Sequence, residues 1–387
     1  MYEVYKICRE LNPWLIKVRR ELHKNAELAF KEFKTKNIIK KYLDEMNINY
    51  YEIENSTSIV ALIYVNSPIT VGIRADMDAL PINEESFIDY KSENKNIMHA
   101  CGHDAHMAIA LGVCKVLSKY LNILKVNVKI IFQSGEEIGG GKFLASNPFV
   151  LENPKLDYIF ALHMAPHLSC GFMEIKSGVM AASTDRIHIC VKGKKSHGAY
   201  PHEGVDAIVI SSYLITSLQT IVSRNIDPNN SVVLTFGKIN GGIKGNIICD
   251  EVNLVGTLRT LNKEDRNLAK KRIFEICTYM GKSFNSEILV DIKEGIPPLI
   301  NDSKLVPKVI ENGIDILGEN NIIIKNQSSL GAEDFAYFLE KTRGVFFNLG
   351  CANDKFNSPI HTSTFNIDEN CLVLGVMIQL KNIFMFQ

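Results

Sequence analysis

Apolar runs of strand length alternate with helical stretches in the first half of the chain, and this alternation limits the possible folds more than any other feature. The strand-like runs span residues 58–64, 70–75, 126–132 and 158–162, and a helical pattern covers 105–119. Such alternation is typical of a mixed sheet that helices cover on both faces. We therefore predict an α/β fold with a mixed, mainly parallel sheet.

Acidic or imidazole side chains follow three of these runs. They are Asp76 and Asp78 after the second run, Glu136 and Glu137 after the third, and His163 after the fourth. The carboxyl ends of parallel strands meet at one edge of a sheet, where ligands bind. We expect these side chains to converge on a common pocket.

The densest group of potential metal ligands is the segment 98–106, MHACGHDAH. It places four donors within eight residues: His99, Cys101, His103 and His106. Thiolate and imidazole groups bind divalent metals such as zinc. A histidine-rich turn can also arise by chance, so the segment counts mainly in combination with the strand ends.

The adjacent glutamates Glu136 and Glu137 point in different directions on any regular backbone. One can therefore bind a metal while the other transfers a proton. A hydrolase with two metals about 3.5 Å apart needs a bridging ligand, terminal ligands and a general base. The alternative is a solvated pair, but here the pair follows an apolar strand and precedes three glycines.

The pattern changes after about residue 183. Strand, helix, strand, strand, helix and strand follow one another up to residue 292, the order of a ferredoxin-like fold. We predict an inserted second domain with this ferredoxin-like order at 181–293. His361 lies beyond it, so the catalytic domain is expected to be discontinuous, with residues 1–180 and 294–387.

Composition excludes some classes of partner. Lysine plus arginine equals aspartate plus glutamate, 43 each, so no bulk charge favours nucleic acid or an anionic membrane. We predict a small-molecule substrate.

The first ten residues carry charges where a signal peptide is apolar, and the nine cysteines have no framework spacing, which favours the cytoplasm. The apolar run 371–386 is interrupted by polar residues and is expected to be a buried helix.

Seven ordered motifs resemble one family. They are RRELH at Arg19, GIRADMDALPI at Gly72, MHACGHDAH at Met98, GEE at Gly135, LHM at Leu162, SHGAYPH at Ser196 and GAEDF at Gly331. They resemble the aminoacylase-like amidohydrolases of metallopeptidase clan MH, which include hippurate hydrolase, N-acetyldiaminopimelate deacetylase and the indoleacetyl-amino-acid hydrolases. The chain departs from the family at Ala26, where a proline is usual.

The resemblance implies a role for individual residues. A bridging thiolate, Cys101, would join one metal held by His103 and His163 to another held by Glu137 and His361. The general base would be Glu136, and Asp78 would orient a neighbouring group. His197 would act across a dimer interface on the oxyanion, and the substrate would be bound by Asn246, Arg259 and Gly331. His99 and His106 are expected to support the site rather than to bind metal, and His188 to be structural.

These observations predict a cytoplasmic amidohydrolase that cleaves N-acyl amino acids, with two divalent metal ions per subunit. The ligand chemistry allows Zn, Mn, Co or Ni. The resemblance implies a homodimer or higher homo-oligomer, with the inserted domain at 181–293 as its dimerisation or lid domain. The alternatives are a dipeptidase or aminopeptidase on the same scaffold, and a non-catalytic ligand-binding relative.

Overall fold

A computed structural model describes residues 2–387 of the chain. The helices are α1 Tyr2–Glu10, α2 Asn12–Lys24, α3 Phe33–Glu45, α4 His103–Leu117, α5 Gly141–Leu144, α6 Pro148–Leu151, α7 Ala207–Thr220, α8 Lys263–Ser283, α9 Val306–Leu317, α10 Ala336–Leu339 and α11 Cys371–Phe384. The strands are β1 Asn49–Glu52, β2 Ile59–Ile63, β3 Thr70–Asp76, β4 Asn127–Gln133, β5 Tyr158–Ser169, β6 Met173–Ile175, β7 Gly178–Ala181, β8 Asp185–Lys192, β9 Val232–Gly241, β10 Glu251–Thr260, β11 Glu287–Glu294, β12 Leu299–Asn301, β13 Ile322–Ile324 and β14 Arg343–Ala352.

The chain divides into two compact units. The first comprises the residues up to Met180 together with Ile300–Gln327 and Glu333–Gln387, and the second comprises Ala181–Leu299 and Ser328–Ala332. The second unit therefore runs a few residues past the end predicted for the inserted domain and takes in a short later segment.

The first unit contains an eight-stranded mixed sheet in the order β1-β2-β4-β3-β5-β14-β6-β13. Its central strands are parallel: β3 pairs with β4 and β5, and β5 pairs with β14. Their carboxyl ends therefore share one edge, as the α/β prediction requires. Strands β3 and β4 are buried along their whole length, so their apolar residues do not alternate with solvent-exposed polar ones, and polar residues within them, such as Arg74 and Lys129, are buried as well.

Helix α4 occupies the centre of the first unit. It contacts β3 and β5 of the sheet and the helices α2 and α11, so nearly every residue along it is buried. The predicted C-terminal helix is present as α11, and most of its residues are also buried. Because α4 begins at His103, this packing fixes one end of the metal-ligand motif in the core.

Strand β5 is longer than its sequence predicts. The prediction ended the strand at Leu162, whereas the structure continues it to Ser169, so His163 lies within the strand. The physical reason is that β14 continues to pair with it, as far as Ala352 beside Ser169. The neighbouring strand thus supplies hydrogen bonds beyond the apolar run.

The second unit has its own four-stranded antiparallel sheet, in the order β11-β8-β10-β9. Helices α7 and α8 share a separate apolar core with this sheet. The stretch Ala207–Asn225 is long and apolar enough to cross a membrane by those criteria alone, which core helices of soluble proteins also meet. A third of it is buried within the protein.

Candidate metal centre

The thiol of Cys101 lies between two histidines that are far from it in sequence. Its Sγ atom is 3.3 Å from Nε2 of His163 and 3.3 Å from Nε2 of His361. Nε2 of His361 is also 3.3 Å from Oε1 of Glu137. The structure therefore brings together four of the predicted ligand residues.

The fifth predicted ligand, His103, presents a free nitrogen to the same place. Its Nδ1 atom lies 2.8 Å from the carbonyl oxygen of Asp78, so Nδ1 carries the proton and donates it there. Its Nε2 atom is buried and has no hydrogen-bond partner in the described part of the chain. A buried imidazole nitrogen left in this state is suited to binding a metal ion.

The backbone around these ligands is locally unusual. Gly102 has φ +88°, and a side chain there would lie 2.8 Å from Cγ of Met164, so only glycine fits between the two ligands Cys101 and His103. His361 has φ +63°, a conformation rare outside glycine, and its N–H donates to the carbonyl of Ala100 at 2.7 Å. This bond ties the late loop of the chain to the MHACGHDAH segment.

Two carboxylates hold the loop that carries the glutamate pair. Asp78 accepts the backbone N–H groups of Glu136, at 2.9 Å, and of Glu137, at 3.1 Å. Glu32 accepts the N–H of Gly135 at 3.0 Å and a hydrogen bond from the hydroxyl of Thr57. Three consecutive N–H groups are thus fixed by side chains outside the loop, which orients both glutamates.

A buried guanidinium connects the ends of β3 and β4. Arg74 donates to Gln133 at 2.9 Å, to Asp76 at 2.6 Å and to Asp334 at 2.7 Å. Asp334 also accepts the N–H of Gly141 at 2.6 Å. Asp334 therefore anchors the far end of the loop whose near end Asp78 and Glu32 hold.

The electrostatic environment separates the two glutamates. Burial, together with the carboxylates of Glu333 and Asp334, raises the pKa of Glu136 well above its usual range. Burial acts in the same sense on Glu137, but the hydrogen bond from His361 and the charge of His103 leave the pKa of Glu137 lowered. Divergent proton affinities in neighbouring carboxyl groups are typical of an acid–base residue beside a metal ligand.

Burial and neighbouring charges also shift the pKa values of the histidines and of the thiol. It lowers the pKa of His163 to about 4, so the ring is neutral and able to act as a ligand. Burial alone would lower the pKa of His103, but the carboxylate of Asp76 raises it. The Cys101 thiol has its pKa raised by burial. A metal cation is what would favour the thiolate in such a place.

His106 and His99 differ in their surroundings. The N–H of Met164 donates to Nε2 of His106 at 2.9 Å, so the Nδ1 proton of that ring goes to Asp76 at 2.6 Å. Neither nitrogen of His106 is free, which fits a supporting role. Both nitrogens of His99 are buried without a hydrogen-bond partner among residues 2–387.

The remaining predicted residues lie in the second unit. The backbone of His197 pairs with Ile247, and the N–H of Gly198 donates to the carbonyl of Asn246 at 2.8 Å, so His197 and Asn246 are neighbours. His197 is exposed and Arg259 is half-buried. Gly331 belongs to the short segment 328–332, where its N–H donates to Ser329. His188 lies in β8 opposite Val255 and Asp291.

Several residues that shape the site were given no role by the sequence. Within the first unit, Asp104 accepts from Arg19 at 2.8 Å and from Nδ1 of His23 at 2.7 Å, and Nε2 of His23 lies 3.2 Å from Glu84. Although burial opposes it, these two carboxylates raise the pKa of His23. The RRELH and GAEDF motifs mark Arg19, His23 and Asp334, but a motif alone does not show which group each side chain binds.

Over the range that the structure describes, five groups of three possible ligand residues have their donor atoms within 4.8 Å of one another, and two of these groups contain Cys101. One set is Cys101, His103 and His163, and the other is Cys101, Glu137 and His361. Cys101 belongs to both, and each set mixes donor types that zinc and similar ions accept. The shared Cys101 and the unpartnered Nε2 of His103 fit a pair of metal ions.

The fold and this donor cluster define the class of a metal-dependent hydrolase. The model of Peptidase family M20/M25/M40 matches residues 72–383. The chain belongs to this family and is a hydrolase of amide bonds. The resemblance drawn from the motifs is thereby confirmed.

Comparison with known proteins gives the same result. The chain is 38% identical to the N-acetyl-L-cysteine deacetylase of Bacillus subtilis, over 94% of this chain and 86% of that protein. It is 34% identical to thermostable carboxypeptidase 2 of Saccharolobus solfataricus, over 95% and 94%. The crystal structure of the YXEP protein of Bacillus subtilis, described as a dinuclear metal binding peptidase from the M20 family, has a TM-score of 0.82 and 26% identity, over 98% of each chain.

Proposed function

We propose that this protein is a two-metal amidohydrolase that cleaves N-acyl amino acids into a carboxylic acid and a free amino acid. The observation that carries the proposal is the position of Cys101, whose sulfur is 3.3 Å from the histidines of two different ligand sets. Membership of the peptidase family and the similarity to a named deacetylase support the same activity.

We assign the ligands as the family resemblance implied. Cys101 would bridge, His103 and His163 would complete one metal, and Glu137 and His361 would complete the other. The bound metals would supply Lewis acidity toward the amide carbonyl and a water of lowered pKa. The protein's own contribution is to position these side chains: Asp78 holds His103 and the backbone of Glu137, and Ala100 holds the backbone of His361.

Glu136 is the proposed general base. Its backbone is fixed by Asp78, and its surroundings raise its proton affinity, so it can hold the proton that the attacking water loses. The same proton then passes to the nitrogen of the leaving amine. Glu137 differs because its lowered pKa keeps it ionised as a ligand.

The second unit supplies the residues proposed to contact the substrate. Ala199 donates its N–H to Nδ1 of His197 at 3.1 Å, so Nε2 of that ring carries a proton available to an oxyanion. Arg259 and Asn246 would bind the substrate carboxylate, since a guanidinium grips this group with two parallel bonds. Gly331 would contact the substrate through its backbone.

We further infer that the second unit is a ferredoxin-like insertion that mediates a homodimer. The order of its strands and helices supports this inference. One face of α7 is buried in the unit's core, whereas the other exposes Ile208, Val209 and Tyr213. Strand β9 is at the edge of the sheet and exposes Ile239. Exposed apolar faces of this kind mark association surfaces.

A cytoplasmic location remains our prediction.

A carboxypeptidase is the competing activity, and one observation favours it. The chain is 34% identical to a thermostable carboxypeptidase, the same identity that it has to the N-acetyldiaminopimelate deacetylase of Pediococcus pentosaceus. A peptide cut at its last residue and an N-acyl amino acid share an amide followed by a free carboxylate. The site described here therefore suits both bonds.

A substrate panel separates these activities. Metal-loaded protein is expected to release amine from N-acetyl and N-benzoyl amino acids faster than from dipeptides with a free amino terminus. The Glu136→Ala variant serves as the control for contaminating hydrolases. Turnover of dipeptides alone would move the assignment to a peptidase, and silence on every substrate with metal bound would favour a binding protein.

A further inference from the structure

A cavity of about 350 Å³ lies beside the metal centre, within the first unit. His163 lines it, together with the residues that follow in β5 as far as His167. The other lining residues are Asn348 of β14 and, from the segment that leads to His361, Asn357, Pro359 and Ile360. The cavity is therefore bounded on two sides by chain segments that carry proposed metal ligands.

The cavity is chemically suited to an uncharged group. Met164, Ala165, Pro166, Pro359 and Ile360 contribute apolar surface. No lysine or arginine occurs among the residues that line it. Of its two histidines, His163 is a proposed metal ligand and His167 has its Nε2 atom 3.5 Å from the carboxylate of Glu174.

Asn348, one of the polar residues that line the cavity, is already hydrogen-bonded. The amide nitrogen of Asn348 donates to Glu174 at 2.8 Å, and Glu174 also binds Lys325 at 2.8 Å. Lys325 is thus neutralised by a carboxylate. Of the two halves of an N-acyl amino acid, only the acyl half lacks a charge, so it is the half that this cavity favours.

The volume of the cavity indicates the size of the acyl group that would fill it. A methyl group, like a water molecule, fills roughly 30 Å³, so an acetyl group would leave most of the cavity empty. Cavities above about 300 Å³ usually bury much larger ligands. Because unfilled apolar surface contributes nothing to transition-state binding, a longer or aromatic acyl group gains from the extra contacts.

We propose that this cavity is the acyl-binding subsite and that the enzyme prefers medium-chain or aromatic acyl groups to acetyl. The proposal rests on the amidohydrolase function proposed above. Acyl chains of about six carbons, or a benzoyl ring, are the expected occupants. Ile360 and Asn357 would set the depth available to them.

The test is a series of N-acyl methionines bearing acetyl, butanoyl, hexanoyl and benzoyl groups, assayed with full-length protein loaded with zinc or manganese. We expect kcat/KM to rise about fourfold for each added methylene, the factor that corresponds to ~0.8 kcal/mol of apolar burial. The quantity of interest is the ratio of hexanoyl to acetyl kcat/KM.

Ile360→Trp should fill the cavity and lower this ratio at least tenfold. Ile123→Trp is the matched control, because Ile123 is also an exposed isoleucine in a turn, 48% exposed against 37% for Ile360. Asn357→Trp provides a second filling variant, further in sequence from His361, should Ile360→Trp lose metal.

The outcomes are distinguishable. A ratio that falls in both filling variants and not in the control supports the subsite. An acetyl substrate that is cleaved as fast as the hexanoyl and benzoyl substrates, or a ratio unchanged by both filling variants, overturns the subsite while leaving the amidohydrolase intact. Failure to cleave any N-acyl amino acid overturns the proposed function and the subsite with it.

Discussion

The carboxylate of Asp78 accepts the backbone N–H of Glu136 at 2.9 Å. The same carboxylate binds the next N–H in the chain, and the carbonyl of Asp78 accepts the Nδ1 proton of His103. One residue just after β3 therefore positions both the proposed general base and a proposed ligand.

Asp78→Asn should reduce kcat by about 10- to 100-fold, the usual cost of losing a group that orients a metal site. The substituted amide can accept only one of the two N–H bonds and turns a donor toward the other. Asp157→Asn is a matched control, because Asp157 accepts the N–H of Thr70 at the opposite end of the same strand. Equal losses in both variants would show that Asp78 acts only through stability.

Replacing each of the two glutamates by glutamine, in separate variants, tests whether one acts as a base and the other as a ligand. Glu136→Gln should lower kcat by about 10²- to 10⁴-fold with two metals still bound, because only the proton acceptor is removed. Glu137→Gln should instead lower the metal content, measured by elemental analysis. The assignment is wrong if Glu136→Gln is the variant that loses metal.

A buried arginine and its exposed neighbour provide a stability test. Arg19 is fully buried and binds Asp104, whereas the side chain of Arg20 is 41% exposed, although both contact Glu369. Arg19→Met should destabilise the fold by about 3 to 5 kcal/mol, because it removes the guanidinium from a buried ion pair and leaves the Asp104 carboxylate with His23 as its remaining side-chain partner. Arg20→Met should cost at most about 1 kcal/mol. Similar melting temperatures for the two variants would contradict this account.

The raised pKa of Glu32 should make the free energy of unfolding depend on pH. Burial raises the pKa of Glu32 from 4.5 to about 7. A raised pKa contributes stability that is present below pH 4.5 and is lost as the pH rises through 7. Wild-type protein should therefore lose about 3 kcal/mol relative to Glu32→Gln across that window. Thermal melts of both proteins from pH 4.5 to 8 measure the difference, and a constant difference would refute it.

The sequence predicted the parts of the protein that follow from periodicity and spacing. The buried strands β3 and β4 and the helix α4 lie within a few residues of their predicted bounds, because segments rich in apolar residues leave few alternatives. The motifs were sufficient to name Cys101, His103, Glu137, His163 and His361 as one set of ligands. All five lie in or beside elements of the first unit.

Other features depend on tertiary contacts that no local pattern encodes. The extension of β5 past Leu162 depends on pairing with β14, which is nearly two hundred residues away in sequence. The contacts of Asp334 with Arg74 and of Glu32 with Gly135 join loops in the same way. A charged residue in an isolated sequence is most often solvated, so its burial beside a partner becomes visible only in the fold.

Metal titration tests the central claim most directly. Chelator-stripped protein would be titrated with zinc or manganese while bound metal and amine release from an N-acyl amino acid are measured together. We expect activity to reach its maximum at two metal ions per chain, and Cys101→Ser to bind them more weakly. Full activity in the stripped protein, or a maximum at one ion per chain, would contradict a two-metal site bridged by Cys101.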